Sequence, residues 1–365
     1  MNPMNHTITA QTREGIDCHN QGDEGVGHRL RKIARGNWNS AAESRQRVYE
    51  TYCQTQWNYY AQGRRKFEHH SHETIEIIRM IQSNDAKESI LTQLQNSHQA
   101  EQKSFSEHSC RHMIDFAARL IIPINIGTLP NEVNKRRHLK WDTGALKDCV
   151  NEYFDESPVL TFERLRLPKA FDAWSLCKVG GIKIRFTDNL ADHLLLVEDD
   201  AIVLIFHHVT YLEQQGQDSQ LPPGLAEETI KTIALLFPQA EYGGSKKSTR
   251  KKRAWLSKLC KNHENEYGCR VDECVNRCGG LPASERQIER FRFWRDRLGV
   301  LKQTYDETTP STISQWWHDR RNGPQWFTFW VAGVALALAT LALFLTVVQA
   351  VEGALQVFLA YNPKS

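Results

Sequence analysis

Residues 182–208, IKIRFTDNLADHLLLVEDDAIVLIFHH, decide whether this chain is all helical or mixed. In IKIRF the side chains alternate, with Ile182, Ile184 and Phe186 on one face and Lys183 and Arg185 on the other, the period of a half-buried strand. AIVLIF, from Ala201, has no polar face and reads as a more deeply buried strand. The helical patterns GALKDCVNEYF and LPKAFDAWSLCKVGG precede them, the second closed by Gly180 and Gly181, and GLAEETIKTIALLF follows, stopped by Pro238. Residues 140–240 are therefore expected to form a small mixed domain, and a winged-helix arrangement would suit the same elements.

The flanks of these strands carry Asp188, Asp192, His193, His207 and His208. Asp188, His193 and His207 are the catalytic candidates if carboxylate and imidazole converge for acid–base work. Asp–His hydrogen bonds that merely fix a turn are the alternative. HHVTYLE lacks the aspartate and glycine expected after a paired histidine in acyl-condensing enzymes. The chain has no phosphate-binding glycine loop, nucleophile elbow or HExxH helix.

Working toward the N-terminus, apolar residues recur at helical spacing in residues 39–130, for example Ile75, Ile78 and Ile81, then Ile90, Leu91 and Leu94. This predicts a helical region ending in a proline-broken apolar stretch at Pro123 and Pro130. His69, His70 and His72, and then His108, Cys110 and His112, contain metal-ligating residue types, but a third placed ligand is missing. Residues 1–38 are polar and aperiodic and read as a disordered lead-in without a secretory signal, so the bulk of the chain is expected in the cytosol. Nine cysteines, an odd number with the first five scattered, suit reduced thiols.

Toward the C-terminus, residues 241–283 have loop composition. Cys260, His263, Cys269, Cys274 and Cys278 lie there, ligand types that zinc prefers, though without the paired C-x2-C knuckles of a zinc loop. Lys246, Lys247, Arg250, Lys251, Lys252 and Arg253 form a basic run that suits an anionic lipid surface, an import signal or a solvated loop. The net charge of +3 does not by itself point to nucleic acid. In residues 284–323, Ser284 and Gln287 make a capping-box pattern ahead of a seam of Ile288, Phe291, Trp294, Leu298, Leu301 and Tyr305. The seam predicts a stalk helix that pairs with a protein partner or a second copy, followed by a short interfacial helix.

The last element is an anchor. No charged side chain occurs from Asn322 to Val351, longer than the ~20 residues a membrane-spanning helix needs. Residues 325–350 are the expected span and 351–365 a short tail. Trp316, Trp317, Trp326 and Trp330 gather at its start, where indole rings favour the headgroup boundary. Arg320 and Arg321 precede it and only Lys364 follows, a bias that predicts a tail-anchored, single-pass protein with a cytosolic head. Gln349, Glu352 and Gln356 share one helix face beyond the most apolar part. They suit the far interface, a helix–helix contact beside Gly353, or a pore lined by Glu352.

Three blocks, FTDNLADHLLLVEDDAIVLIFHH, RQIERFRFWRDRLGVLKQTYDE and the segment from TTPSTISQWWHDRRNGPQWFTFW to EGALQVFLAY, carry a resemblance. Over roughly residues 141–361 the chain resembles a family of filamentous-fungal membrane-anchored proteins for which no function is established. It departs from that pattern in residues 245–278. The resemblance implies a membrane-associated protein sitting among accessory genes such as those of secondary metabolism, and supplies no catalytic site. The expected architecture is α+β, mainly helical, with one C-terminal transmembrane helix. The expected function is a non-catalytic adaptor or regulator acting through cytosolic protein contacts. A membrane-tethered accessory protein or enzyme of a fungal biosynthetic pathway, and an oligomeric transporter or channel, are the alternatives.

Overall fold

The computed structural model describes residues 51–56, 71–100, 106–127, 138–155, 157, 159–161, 164–216, 219–239, 246–309, 312–319 and 323–361. The lead-in expected over residues 1–38 lies outside them, as do His69, His70, Arg320 and Arg321. The fold is mainly helical around one small mixed sheet. Helices α1 (Ser71–Gln82), α2 (Lys87–Ala100) and α3 (Glu107–Ile121) come first, then α4 (Leu146–Phe154) and α5 (Ala173–Lys178). Strands β1 (Lys183–Thr187), β2 (Leu196–Val197) and β3 (Ile202–Phe206) follow. Helices α6 (Val209–Glu213), α7 (Leu225–Leu236), α8 (Lys246–Tyr267), α9 (Arg295–Glu307), α10 (Ile313–His318) and α11 (Gly323–Tyr361) complete the chain.

The alternation in IKIRF is realised: Ile184 and Phe186 are buried while Lys183 is exposed, and all of β3 is buried. The sheet order is β1-β3-β2, with β1 parallel to β3 and β2 antiparallel to it. A winged helix is thereby excluded, because the two long strands run parallel rather than as a hairpin. The helical region does not stand apart from the mixed domain. Ile78, Ile81, Ile90, Leu91 and Leu94 are buried in the same core as β1 and β3. Lys87 Nζ reaches Asp115 Oδ1 at 2.6 Å and the Trp141 carbonyl at 2.5 Å, and the Pro123 carbonyl accepts from Leu190 N at 2.7 Å, so polar bonds also cross the expected boundary.

Two C-terminal expectations are corrected. Residues 246–267, expected within a loop, form the 22-residue helix α8. Its apolar side chains were sparse but correctly spaced: Trp255, Leu256, Leu259 and Cys260 pack against the core, and His263 is buried below them. The second correction concerns the stalk. Ile288, Phe291, Trp294, Leu298, Leu301 and Tyr305 are all buried in this chain's own core, leaving the seam no face for a partner helix.

The expected helix start also moves. Gln287 makes no capping bond, and a regular helix begins only at Arg295. The cause is Glu228 on α7. Its carboxylate accepts the backbone N–H groups of Arg292, Phe293 and Trp294, each at 2.8 Å, and so holds residues 292–294 in a bend against α7. Trp294 Nε1–H adds a bond to Thr229 Oγ1 at 2.9 Å. The capping box of this region forms instead at Thr312 and Gln315, opening α10.

Beyond α10, helix α11 is continuous for 39 residues and passes through Gln349, Glu352 and Gln356 without a break. Its segment Trp326–Phe358 is apolar and long enough to cross a membrane. Glu228→Gln is expected to destabilise the fold by about 1–3 kcal/mol, because an amide N–H₂ would oppose one backbone donor that needs an acceptor. Denaturant melting of the full chain in detergent measures this; an unchanged midpoint would show that the carboxylate is not needed.

Candidate functional site

Parallel pairing sets Thr187 opposite Phe206, so the residues that leave β1 and β3 emerge side by side at one sheet end. Those residues are Asp188, His207 and His208. Asp188 Oδ1 lies 3.1 Å from His207 Nε2 and 2.7 Å from His208 Nε2. The two rings lean on each other with centroids 4.1 Å apart, and both are buried while Asp188 is partly exposed. Their ligand atoms lie within 4.8 Å of one another, the one such group among the described residues.

The surroundings fix what this cluster can do. Asp272 N donates to His207 Nδ1 at 3.3 Å, which leaves the imidazole proton on Nε2, aimed at Asp188. A metal-binding histidine needs the reverse, a bare nitrogen toward the metal and an N–H on the far side facing an acceptor. Asp272 is itself locked, accepting from Thr210 N at 2.7 Å and Cys274 N at 2.9 Å. The arrangement therefore fits a donor–acceptor knot better than a metal centre. Burial alone would raise the Asp188 carboxyl, but the two imidazole donors outweigh it and hold it well below the usual carboxylate range. His207 is shifted down by burial and by its neighbour His208.

The catalytic trio expected from the sequence is corrected accordingly: Asp188 and His207 meet, His208 joins them, and His193 does not. His193 Nδ1 accepts from Phe206 N at 3.1 Å, substituting for a ladder partner at the end of β3, and Nε2–H points to Thr232 Oγ1 at 2.7 Å. Its ring packs on Trp294. Burial, with Arg297 nearby, brings its pKa down to about 3. The signal for His208 was the parallel register, which the alternation pattern does not disclose.

The five expected zinc ligands do not converge. His263 Nε2 and Cys269 Sγ are 3.8 Å apart, whereas Cys274 Sγ accepts from Thr210 Oγ1 and Cys278 Sγ donates to the Cys274 carbonyl. No three of them bring ligand atoms within 4.8 Å of one another. Burial pushes the Cys260 and Cys269 thiols up to about 11 and Cys278 up to about 12, so that all three are protonated at neutral pH. His108 and His112 do meet, with Nε2 atoms 3.2 Å apart on α3, and among the described residues they form no group of three ligand atoms within 4.8 Å.

A second feature lies where the head meets α10. A cavity of about 310 Å³ opens between α5, the end of α7, α8 and the 3₁₀ turn at Glu273–Asn276. Trp174, Phe237 and Trp255 give it apolar walls, and Lys252, Arg253 and Arg277 bring three cations to it. The one carboxylate among its described lining residues, Asp172, is already committed: Oδ1 caps α5 through Ser175 N at 2.8 Å, and Oδ2 pairs with Lys252. Trp174 also touches His318 of α10, with ring centroids 5.3 Å apart. The basic run is thus split, Lys252 and Arg253 facing the cavity and Arg250 and Lys251 lying outside it; the side chains of Lys246 and Lys247 fall outside the described residues. Comparison with known proteins finds no match for the chain among family models, curated proteins or solved structures.

Two outcomes follow from this geometry. Unfolded histidines take a proton near pH ~6.5, but buried His193 and His263 resist protonation down to about 3 and about 4. The unfolded state then binds more protons below ~6.5, so stability is full above that pH and declines as pH falls toward 4, by up to ~1.4 kcal/mol per unit per histidine. Chemical melts at several pH values should show this slope, reduced in His193→Gln; a flat profile would contradict it. Zinc added to the purified chain should leave the thermal midpoint in place, since His207 presents a proton; a rise of several degrees would show that the tautomer had switched.

Proposed function

We propose that the chain is a single-pass membrane protein that holds a folded, non-catalytic head against an anionic cytosolic leaflet, as an adaptor or regulator of that surface. One observation carries the reading. The most apolar 18-residue window within the segment Trp326–Phe358 has a mean hydropathy of 2.5, and none of it is covered by the head. Side chains such as Leu336, Leu338, Leu341 and Phe344 stand exposed along it, an apolar surface that lipid would cover.

The base of the anchor supports the same reading. Trp316 stacks on Phe329 at 4.7 Å and Trp317 meets Trp330 edge-on at 4.8 Å, so α10 folds back onto the first turns of α11 and concentrates indole rings there. Exposed Arg250, Lys251 and Arg253 on α8 would each gain ~1 kcal/mol near an anionic leaflet. With the buried seam closed to partners, the surfaces left for contact are the basic face of α8 and the cavity beside it.

The polar trio fits this placement. At 1.5 Å per residue, Gln349, Glu352 and Gln356 lie roughly 35, 39 and 45 Å along the helix from Trp326, against a hydrocarbon core of ~30 Å. With Trp326 at the near boundary, all three reach the far headgroup layer. Bringing Glu352 into the core would take a tilt of about 40°, the upper end of what spanning helices show.

Alkaline extraction of membranes from cells making the full chain tests the reading: the protein should remain in the pellet. Leu338→Arg with Leu341→Arg, each costing about 2.5–3.5 kcal/mol at the centre of a span, should release it. Extraction of the unaltered chain would end the proposal.

A further inference from the structure

We propose that the cavity between α5, α7 and α8 binds the phosphate-bearing headgroup of an anionic lipid drawn from the leaflet that holds the anchor. This rests on the reading of α11 as a membrane anchor. The charge balance is the first argument. Lys252 is spent on Asp172, but Arg253 has no ion-pair partner among the described residues, and Arg277 reaches only Glu273 at 3.9 Å, with its side chain 58% exposed. Two guanidinium groups at one cavity match the oxygens of a phosphate, which each can grip through two parallel N–H bonds. Among the described residues that line the cavity, no carboxylate is left to repel that anion.

The second argument is shape. The volume of about 310 Å³ is at the small end of ligand sites, enough for a headgroup but not for acyl chains, which would stay in the bilayer. Trp174 and Trp255 offer flat apolar walls for the carbon skeleton between phosphate and chains. The third is location. Trp174 is at once a wall of the cavity and the contact of His318, and α10, which carries His318, stacks on the base of the anchor. A free phosphometabolite would gain nothing from that proximity, whereas a lipid is delivered by it at high local concentration.

The test is calorimetric titration of the full chain, in neutral detergent, with dioctanoyl phosphatidate, dioctanoyl phosphatidylcholine and glycerol 3-phosphate. Phosphatidate should bind saturably and at least tenfold more tightly than glycerol 3-phosphate, with no saturable signal from phosphatidylcholine. Arg253→Ala with Arg277→Ala should weaken phosphatidate at least tenfold, and the corresponding Lys substitutions should recover part of the loss. Arg79→Ala with Lys140→Ala, exposed cations that do not line the cavity, should change it less than twofold. Both cavity arginines are surface residues, and an unchanged thermal midpoint verifies that the variants fold. Equal affinity for glycerol 3-phosphate would overturn the lipid assignment. An equal loss in the outside pair would make the binding a general property of the basic surface, and absence of saturable binding would remove the site. If titration fails while the chain still resists alkaline extraction, this inference falls and the anchored reading stands; if the chain is extracted, both fall.

Discussion

The organisation of the head turns on one buried carboxylate. Glu228 takes three successive backbone N–H groups, of Arg292, Phe293 and Trp294, and those bonds turn a segment built like a stalk into a layer of the core. Burial raises the Glu228 pKa above the usual carboxylate range, and the backbone N–H groups of Trp294, Arg292 and Phe293 counter that shift only in part. Once residues 292–294 are fixed, Trp294 fills the space between Phe154 and His193, and α9 is laid down with Tyr305 against Phe171. Helix α10 then meets α5 through His318 and Trp174, and Trp316 of α10 stacks on Phe329 in the first turns of α11.

That placement separates two polar features that look equally promising as chemistry. The Asp188, His207 and His208 knot is formed at a strand-end position where α/β proteins often bind ligands, yet the Asp272 N–H fixes His207 as a donor and Asp188 as its acceptor. Its bonds join the ends of β1 and β3 to the segment after α8. The cavity differs because its cations outnumber what the fold consumes. Asp172 is doubly bonded while Arg253 has no ion-pair partner among the described residues and Arg277 reaches Glu273 only at 3.9 Å; on the proposed reading of α11 as an anchor, that surplus charge belongs to a binding surface.

Much of the architecture was legible from local patterns. Alternation identified β1, continuous apolar character identified β3, and uncharged length identified α11. Helix α8 was missed because charged and polar residues dominate it; only the spacing of Trp255, Leu256, Leu259 and Cys260 records the buried side. The seam at 288–305 was read correctly as apolar periodicity but assigned the wrong cover. An apolar stripe states that something must cover it, not whether that cover is another chain or an α7 lying sixty residues earlier. His193 and His208 exchanged roles for a similar reason: which histidine reaches Asp188 depends on the β1–β3 register, a long-range fact. The cavity joins residues from four separate elements and had no sequence signature beyond the basic run.

Amide hydrogen exchange of the full chain in lipid nanodiscs addresses the central claim, that residues 288–305 belong to the core and fix the anchor to the head. The N–H groups of Arg292, Phe293 and Trp294 and those of α9 should exchange as slowly as β3, through global unfolding alone. Rapid exchange across 288–305 while β3 stays protected would mean that the segment is a detachable stalk, and would contradict the account.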